Sequence, residues 1–439
     1  MKRVLVLGSG LVAGPLIRYL LDAKIEVVVA TLLVDRARAL VGNRPHGRAV
    51  YLNVEDDAAL GAMVADADLT VSLLPFGYHP AVAKHCVAHR KHMVTTSYVS
   101  PAMQEHDRAA RAAGVALVNE VGVDPGIDHM SAMRVIDAAR KRRAKVVAFR
   151  SYCGGLPAPE ANDNPFGYKF SWAPRGVLLA ARNGASYLLD GRRVDVPPAD
   201  LFRDMQMFPV EGVGFFEAYP NRDSIAYIDA YGLNGIDTMF RGTLRNVGWC
   251  DIFYSFRKLG LLELDLHRAR GKTYSWLLRK VLGIKPRQAL AAAVAARLGI
   301  HPLALPVTAL RWLGMLGDRR LSAPQISPLD ALAHLMIEKL SYRPGERDML
   351  VMVHDFRIEG ERGARERVTS TLVDFGQKRG DSSMARTVSL PAAISARMLL
   401  EGRLEATGVL RPLIPELYLP ILDELAHLGI ECKEKREAL

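Results

Sequence analysis

A short glycine-rich segment near the N-terminus has the residue types and spacing that bind dinucleotide phosphates. Residues 8–13 read Gly-Ser-Gly-Leu-Val-Ala, a G-x-G-x-x-A pattern that follows the apolar run 3–7 and opens a predicted helix over 11–23. The first glycine permits a tight turn, the second lets a pyrophosphate approach the backbone, and the helix N-terminus favours negative charge. In this strand–turn–helix setting the pattern predicts a dinucleotide site.

The residues that would distinguish NAD from NADP follow the next apolar run, 26–30. An acidic residue there binds a ribose 2′-hydroxyl, whereas an arginine receives a 2′-phosphate. The segment Ala-Thr-Leu-Leu-Val over 30–34 has neither. Asp35 and Arg36 come a turn later, and we interpret them as solvated helix charges, although either cofactor could use them.

Three further segments bring polar residues to the ends of predicted strands, namely 71–75, 95–98 and 120–126. Ligands of doubly wound sheets bind beyond the carboxyl ends of the strands, so these segments are predicted to line a cofactor and substrate cleft. Asp124-Pro125-Gly126 has the composition of a simple turn. Its place at the sheet edge makes Asp124 a candidate site residue as well.

The scaffold that must position these segments is an alternation of strands and helices. The predicted strands are 3–7, 26–30, 49–52, 69–74, 92–96 and 117–120, and the predicted helices are 11–23, 56–65, 80–89 and 103–113. Beyond residue 125 we expect a helix over 128–140, a strand over 146–152, a binding loop over 154–167, a helical region over 255–325, strands over 349–358 and 366–374, and a helix over 391–400. The alternation indicates an α/β fold with a doubly wound sheet.

Composition is that of a soluble globular protein. The chain has 439 residues, 49% hydrophobic and 24% charged, which excludes a disordered or collagen-like protein and predicts two to four domains. Lys and Arg number 58 against 47 Asp and Glu, a net charge of +11. That excess suggests an anionic partner, which could be nucleic acid, a membrane surface, an acidic metabolite or a phosphate-bearing cofactor.

Cysteine usage and the absence of long apolar runs bear on location. Cys86, Cys153, Cys250 and Cys432 are too widely spaced for a disulfide framework or a structural zinc site. Gly8 to Gly10 interrupts the N-terminal apolar run, and no stretch reaches the roughly 20 apolar residues of a membrane span. We therefore expect a cytoplasmic protein with neither a bound metal nor a membrane partner.

Longer strings make the chain resemble the glutamate-forming saccharopine dehydrogenases, also called saccharopine reductases. The strings are TSYVSPAM at 96–103, DPGIDH at 124–129, SYCGGLPAPE at 151–160, DNP at 163–165, YKFSW at 168–172, YPNRDS at 219–224, RGTLR at 241–245, SMA at 383–385 and CKEK at 432–435. They cover essentially the whole length and are far more specific than a nucleotide fingerprint.

The resemblance implies a fold of three domains. A Rossmann domain of residues 1–125 would be completed by about 391–439, an α/β substrate domain would comprise 126–255 with about 330–390, and a helical domain would comprise about 256–329. It also implies a homodimer. The substrates would be saccharopine, glutamate and α-aminoadipate δ-semialdehyde, with NAD or NADP as cofactor.

The resemblance also assigns residues to roles. The predicted catalytic residues are Asp124, Tyr98 and Cys153. The predicted substrate ligands are Ser97, Tyr98, Asp124, Arg222, Thr243, Leu244 and Arg245, and the predicted cofactor ligands are Gly8, Ser9, Gly10, Leu11, Val12, Thr31, Leu32, Leu33, Asn53, Val54, Leu74, Thr96, Ser97, Val123, Asp124 and Pro125. Guanidinium forks suit a tricarboxylate such as saccharopine because they pair with carboxylates in bidentate fashion.

The chemistry of saccharopine oxidation explains the acid–base set. Hydride leaves only from the neutral secondary amine, after which water attacks the imine and the carbinolamine collapses to glutamate and aldehyde. Some group must accept the ammonium proton, activate water and return a proton to nitrogen, which suits a carboxylate with a phenol or thiol nearby. We expect Asp124 to anchor this set, with Tyr98 and Cys153 moving protons and Ser97 and Thr243 orienting the substrate.

Several residues have a structural interpretation beside the functional one. Cys153 could equally be an inert small core residue at a strand end. We interpret His129 as a capping or packing residue rather than a base, and Asp128 as a first-turn charge that complements the helix dipole.

One departure from the family affects the cofactor. NADPH-using members carry an arginine after the second strand, where this chain has Leu32. Without that guanidinium, NAD is predicted to be at least as suitable as NADP, although Arg36 or Arg38 could substitute.

Two other functions remain as alternatives. A related reductive-condensation enzyme such as carboxynorspermidine dehydrogenase acts on a cationic substrate and would favour acidic pocket residues over Arg222 and Arg245. A nucleic-acid-binding protein on a Rossmann scaffold would use the basic run 140–143, which is more typical of a solvated helix end.

Overall fold

The computed structural model describes residues 1–439 apart from the side chain of Arg362. The chain divides into two compact units, and each is described by itself. Unit 1 comprises Met1–Lys145 with Ile358–Leu439, and unit 2 comprises Val146–Arg357.

Helices and strands alternate through the first 145 residues. They are β1 Arg3–Leu7, α1 Ala13–Asp22, β2 Glu26–Thr31, α2 Val34–Val41, β3 Gly47–Tyr51, α3 Asp57–Asp66, β4 Leu69–Ser72, α4 His79–Ala88, β5 His92–Thr95, α5 Pro101–Gln104, α6 Asp107–Ala113, β6 Ala116–Val118 and α7 Ile127–Lys141.

The middle of the chain is mixed. Its elements are β7 Lys145–Pro157, α8 Pro174–Ala180, β8 Ala185–Leu189, β9 Arg192–Val196, β10 Gln206–Val210, β11 Gly214–Pro220, α9 Ala226–Ala230, β12 Thr238–Arg245, α10 Trp249–Lys258, β13 His267–Arg268, α11 Tyr274–Leu282, α12 Leu290–Leu298, α13 Leu305–Leu313, β14 Gln325–Ile326, α14 Pro328–Lys339 and β15 Asp348–Glu359. The last part contains β16 Arg365–Phe375, α15 Ser383–Leu400, β17 Gly408–Leu410, α16 Pro415–His427 and β18 Lys433–Ala438.

Unit 1 is built on a parallel sheet with the strand order β17-β6-β5-β4-β1-β2-β3. β1 pairs with β2 on one side and with β4 on the other, so the strand order reverses at the end of β1. The central strands are apolar and buried on both faces, as helices on each side of a parallel sheet require. The predicted doubly wound Rossmann-type α/β fold is confirmed.

Unit 2 has a mixed sheet in which β10, β11, β12, β7 and β15 follow one another, and β8 pairs with β12 and β9. β12 runs parallel to β7 and antiparallel to β11. The region 255–325 is helical as predicted, except for the short strand β13, which pairs with β14 and so encloses α11, α12 and α13. Among the described residues, none of the helices is both long and apolar enough to cross a membrane.

Two expectations about local structure were wrong. The predicted loop from 154 is strand as far as Pro157, because Gly154 has no side chain and lets β12 approach: a Cβ there would lie 2.6 Å from the Leu244 carbonyl oxygen. The helix predicted to begin at Pro391 begins at Ser383, with the Ser382 hydroxyl accepting from the Ala385 amide at 3.0 Å. Pro391 therefore lies inside the helix.

The predicted domain boundaries differ from the compact units. α7 belongs to unit 1, where Tyr418 on α16 donates to the Asp137 carboxylate at 2.8 Å. The sequence pattern assigns residues from 126 onward to a second domain. The three-domain division stays a prediction.

Candidate active site

The glycine turn joins β1 to α1 with the geometry that its sequence predicts. Gly8 has φ +104°, and its amide donates to the Ala30 carbonyl at 2.9 Å. A Cβ at Gly8 would lie 3.2 Å from the Leu73 carbonyl oxygen, whereas a Cβ at Gly10 would meet open space. Open space over Gly10 at the start of α1 fits a dinucleotide pyrophosphate.

At the end of β2 the Thr31 hydroxyl is already engaged. It lies 3.2 Å from the Ser9 hydroxyl and accepts from the Leu33 amide at 3.1 Å. Leu32 and Leu33 are 59% and 61% exposed. The surface after β2, where this fold binds the ribose 2′-hydroxyl of NAD or the 2′-phosphate of NADP, is therefore apolar.

The acidic and basic residues that follow this surface lie on α2. Asp35 pairs with Arg38 at 2.9 Å on the exposed helix face, as expected for solvated charges. Arg36 is exposed beside them.

The remaining predicted cofactor residues follow other strands of the same parallel sheet. The Asn53 amide oxygen accepts from the Glu55 amide at 3.1 Å in the turn after β3. Val54 and Leu74 pack partly against the hydrophobic core of unit 1. Because parallel strands end at one edge of a sheet, these residues lie at the same edge as the glycine turn.

Tyr98 and Asp124 are brought together in unit 1. Tyr98 follows β5, Asp124 lies in the turn before α7, and the phenol donates to Asp124 Oδ1 at 3.1 Å. The turn is tight, since the Gly122 amide donates to the Pro125 carbonyl at 2.9 Å. Gly126 has φ +149°, and a Cβ there would overlap the Gly122 carbonyl, so the turn requires glycine.

Ser97 is held by a buried histidine that the sequence reasoning missed. His79 Nε2 lies 2.8 Å from the Ser97 hydroxyl and 3.2 Å from that of Thr95, and Nδ1 lies 2.9 Å from that of Ser72. Burial lowers the pKa of His79 to about 4, so the ring is neutral at physiological pH. The sequence feature that could have predicted this cluster is the presence of polar residues in otherwise apolar strands.

Two residues at the start of α7 behave as interpreted. Asp128 Oδ1 accepts from the amides of Gly126 at 2.6 Å and His129 at 2.8 Å. His129 is fully buried, and its Nε2 lies 2.8 Å from Glu120 Oε2. His129 is thus a packing residue, and Asp128 satisfies backbone donors of the helix start.

Three of the predicted residues of unit 2, Cys153, Thr243 and Arg245, share a face of its sheet. Cys153 on β7 is the direct partner of Thr243 on β12, and Arg245 is the partner of Glu217 on β11. Strand alternation puts Thr243 and Arg245 on one face and the buried Leu244 on the other. The side chain of Leu244 therefore points away from the face that carries the predicted site residues.

Arg245 occupies a buried aromatic slot. The side chain stacks over Tyr168 at 4.9 Å and Trp249 at 5.2 Å, and Nη1 donates to the Leu244 carbonyl at 2.8 Å. Within the described residues, its Nε is buried without a hydrogen-bond partner. A buried orphan donor on a cation is the kind of atom that an anionic ligand satisfies.

Arg222 and Cys153 have contrasting environments. Arg222 is exposed just after β11, with φ +53° and its carbonyl accepting from the Ser186 amide at 2.9 Å. Cys153 is buried at 8% exposure. The role of Cys153 in proton transfer stays a prediction.

Two of the four basic residues in the run at the end of α7 pair with carboxylates. Arg140 contacts Asp137 at 2.9 Å and Arg142 contacts Glu366 at 2.5 Å. This pairing is typical of a solvated helix end rather than a nucleic-acid surface.

Family models and relatives agree with this geometry. Residues 4–118 match the saccharopine dehydrogenase NADP binding domain, and residues 122–430 match the saccharopine dehydrogenase C-terminal domain. The chain is 39% identical to the Pyricularia oryzae saccharopine dehydrogenase [NADP(+), L-glutamate-forming], over 99% of each chain. It is 42% identical to the mitochondrial alpha-aminoadipic semialdehyde synthase of Mus musculus, over 98% of this chain and 47% of that protein.

A solved structure gives the same result. The apo saccharopine dehydrogenase (L-Glu forming) of Saccharomyces cerevisiae superimposes with a TM-score of 0.91 at 39% identity, over 100% of both chains. The resemblance carried by the sequence strings is confirmed, and the chain belongs to the saccharopine dehydrogenase family.

Proposed function

We propose that the protein interconverts saccharopine with L-glutamate and α-aminoadipate δ-semialdehyde, using NAD(P), in lysine metabolism. The observation that carries the proposal is the hydrogen-bonded Tyr98–Asp124 pair at the same sheet edge as the glycine turn. It supplies acid–base groups at the edge where a dinucleotide binds in this fold. The full-length relatives named for this reaction support it.

Asp124 is the group we propose to accept the ammonium proton of saccharopine. Its Oδ1 receives the Tyr98 hydroxyl at 3.1 Å, so the two groups form a short path for a proton. A dinucleotide held at the glycine turn would supply the acceptor for the hydride of the substrate carbon. Tyr98 then holds the proton that returns to the departing nitrogen, with Cys153 as a further candidate donor.

Arg245 supports saccharopine as the substrate class. Its guanidinium is buried between Tyr168 and Trp249, with an Nε that lacks a protein partner among the described residues. We propose that it and Arg222 bind substrate carboxylates, and that Ser97 and Thr243 orient the amine. A polyamine substrate, as in carboxynorspermidine dehydrogenase, carries fewer carboxylates than saccharopine and would pair less fully with two arginines.

We propose that the enzyme accepts NAD as well as NADP. Leu32 and Leu33 offer neither a cation for a 2′-phosphate nor a carboxylate for a 2′-hydroxyl, and Thr31 is engaged by Ser9 and Leu33. The relatives are named for NADP. Arg36 is the exposed cation nearest in sequence that could replace the missing one.

The direct test adds purified protein to saccharopine with NAD or NADP and follows reduced nicotinamide by its absorbance. Turnover with either cofactor is expected, and a failure with both would contradict the proposal. Asp124→Asn with Tyr98→Phe should lower turnover strongly and flatten the pH profile of the turnover that remains. An unchanged profile would refute their acid–base role.

We also propose a cytoplasmic homodimer, following the family resemblance and the cysteine spacing. Light scattering of the purified protein should give twice the mass of one chain. Fractionation of the native cells should recover the activity with the cytosol.

A further inference from the structure

Glu120 is a buried carboxylate that the proposed chemistry does not use. It follows β6 by two residues, is 2% exposed and has φ +60°. Its Oε1 accepts from the Val99 amide at 2.9 Å and from Arg411 Nε at 2.9 Å, while Oε2 lies 2.8 Å from His129 Nε2. All of these groups belong to unit 1.

The same residue holds the chain on both sides of Tyr98. The Glu120 amide donates to the Ser97 carbonyl at 3.1 Å, and its carboxylate accepts from the Val99 amide. The backbone before and after Tyr98 is therefore fixed to one residue. Glu120 lies four positions before Asp124, at the base of the turn that carries it.

The hydrogen-bond partners of the Glu120 carboxylate connect the segment 97–99 to α7. His129 is fully buried in the first turn of α7, and its amide also donates to Asp128 Oδ1. Arg411 approaches from the segment after β17. Three parts of unit 1, around Val99, His129 and Arg411, thus meet at one carboxylate.

The negative charge of Glu120 is stabilised by its neighbours. Burial alone would raise its pKa, but the hydrogen bond with His129, the charge of Arg411 and the Val99 amide outweigh burial and lower the pKa to about 2. The carboxylate is therefore ionised throughout the range in which the protein would work. A constant charge suits a positioning role rather than a proton carrier.

We infer that Glu120 is a positioning residue that sets the Tyr98 hydroxyl against the Asp124 carboxylate, with His129 and Arg411 holding Glu120 in turn. The inference rests on the proposed function. Glu120 acts through Tyr98 and Asp124 and does not itself touch the substrate. Displacement of an aligned group by about 1 Å can cost roughly 100-fold in rate, which sets the scale of the expected effect.

The test is Glu120→Gln, which keeps the volume and one oxygen acceptor but removes the charge. We expect kcat with saccharopine to fall on the order of 10- to 100-fold, KM for the cofactor to stay within about twofold, and the acidic limb of the pH profile of kcat to move. Asp374→Asn is the matched control, because Asp374 is also buried and paired with Arg386 at 2.9 Å. It should leave the pH profile unchanged.

A double-mutant cycle shows whether Glu120 acts through Tyr98. In the Tyr98→Phe background, Glu120→Gln should cost much less in kcat than it does in the wild type. Equal costs in both backgrounds, or a Glu120→Gln enzyme with the wild-type kcat and pH profile, would overturn the inference.

Two further outcomes are separable. Arg411→Gln removes one hydrogen-bond partner of Glu120 and leaves Tyr98 unchanged. We expect a smaller fall in kcat, with the acidic limb of its pH profile moved in the same direction. This variant takes the place of Glu120→Gln if Glu120→Gln does not fold. A wild-type protein that turns over no saccharopine would contradict the proposed function. An active wild type with unaffected variants would contradict only the role of Glu120.

Discussion

Replacing Lys169 with Met removes a buried cation that holds the loop carrying Tyr168. Lys169 Nζ lies 2.9 Å from Asp163 Oδ1 and 2.8 Å from Glu346 Oε1, and its side chain is 2% exposed. Tyr168 is the preceding residue, and the Arg245 guanidinium stacks over its ring. Lys169→Met should therefore reduce both the stability of unit 2 and the affinity for saccharopine.

The magnitude follows from what the two carboxylates do without Lys169. Breaking a buried ion pair from one side typically costs about 3–5 kcal/mol. Asp163 is 39% exposed and Arg343 contacts it at 3.2 Å, so water and Arg343 recover part of this loss. Glu346 is 17% exposed and recovers less. We expect a loss of about 2–3 kcal/mol.

Urea unfolding measures the effect, with the midpoint and slope compared between variants. Arg175→Met is the matched control in unit 2, since Arg175 and Asp330 form an exposed pair at 2.9 Å that contributes at most about 1 kcal/mol. Adding Glu346→Gln to Lys169→Met should restore part of the stability, because the buried carboxylate loses its charge.

The pH dependence gives an independent check with a defined sign. The Lys169 hydrogen bond lowers the pKa of Asp163 below its usual 3.8, and for Glu346 the contacts of Lys169 and Arg343 overcome burial to lower the pKa below 4.5. The stability that Lys169 confers is present above these ordinary values and is lost as the pH falls through the lowered ones. Equal midpoints for Lys169→Met and Arg175→Met at neutral pH would refute the reasoning.

Three further predictions concern the candidate site. Leu32→Arg should tighten NADP binding about 10- to 100-fold, because a hydrogen bond to a charged group contributes roughly 1.5–3 kcal/mol, and should leave NAD binding unchanged. Titration of tryptophan fluorescence measures both dissociation constants. A variant with the same affinity for NADP as the wild type would contradict the role of position 32. His79→Asn should reduce the stability that the protein loses in acid. The buried neutral ring has a pKa of about 4 against 6.5 when unfolded, so the wild type loses about 3 kcal/mol as the pH falls from 6.5 to 4. Unfolding midpoints of the variant and the wild type across that pH range test the prediction. Arg245→Lys should raise KM for saccharopine at least tenfold with little effect on KM for the cofactor, since an ammonium cannot reproduce the stacked fork, and an unchanged KM would exclude Arg245 as a carboxylate ligand.

Local features of unit 1 could be predicted from the sequence because they depend on neighbouring residues. Gly8 requires a positive φ, the run 26–30 requires burial on both faces, and the alternation of strands with helices follows from such runs. The sequence did not predict the strands between 185 and 245. Their burial alternates irregularly, and their order depends on pairing with β7. Pro391 misled the helix boundary because proline is typical of a first turn.

The glycine turn, the parallel sheet around it and, through the longer strings, the family can all be inferred from the amino-acid sequence. Which residues come together depends on the tertiary structure: Tyr98 meets Asp124, Cys153 pairs in register with Thr243, and Glu120 meets an arginine 291 residues away. Conformational preferences are local and can be seen in a few consecutive residues. Contacts between distant segments depend on strand order and register, which only the packed molecule specifies.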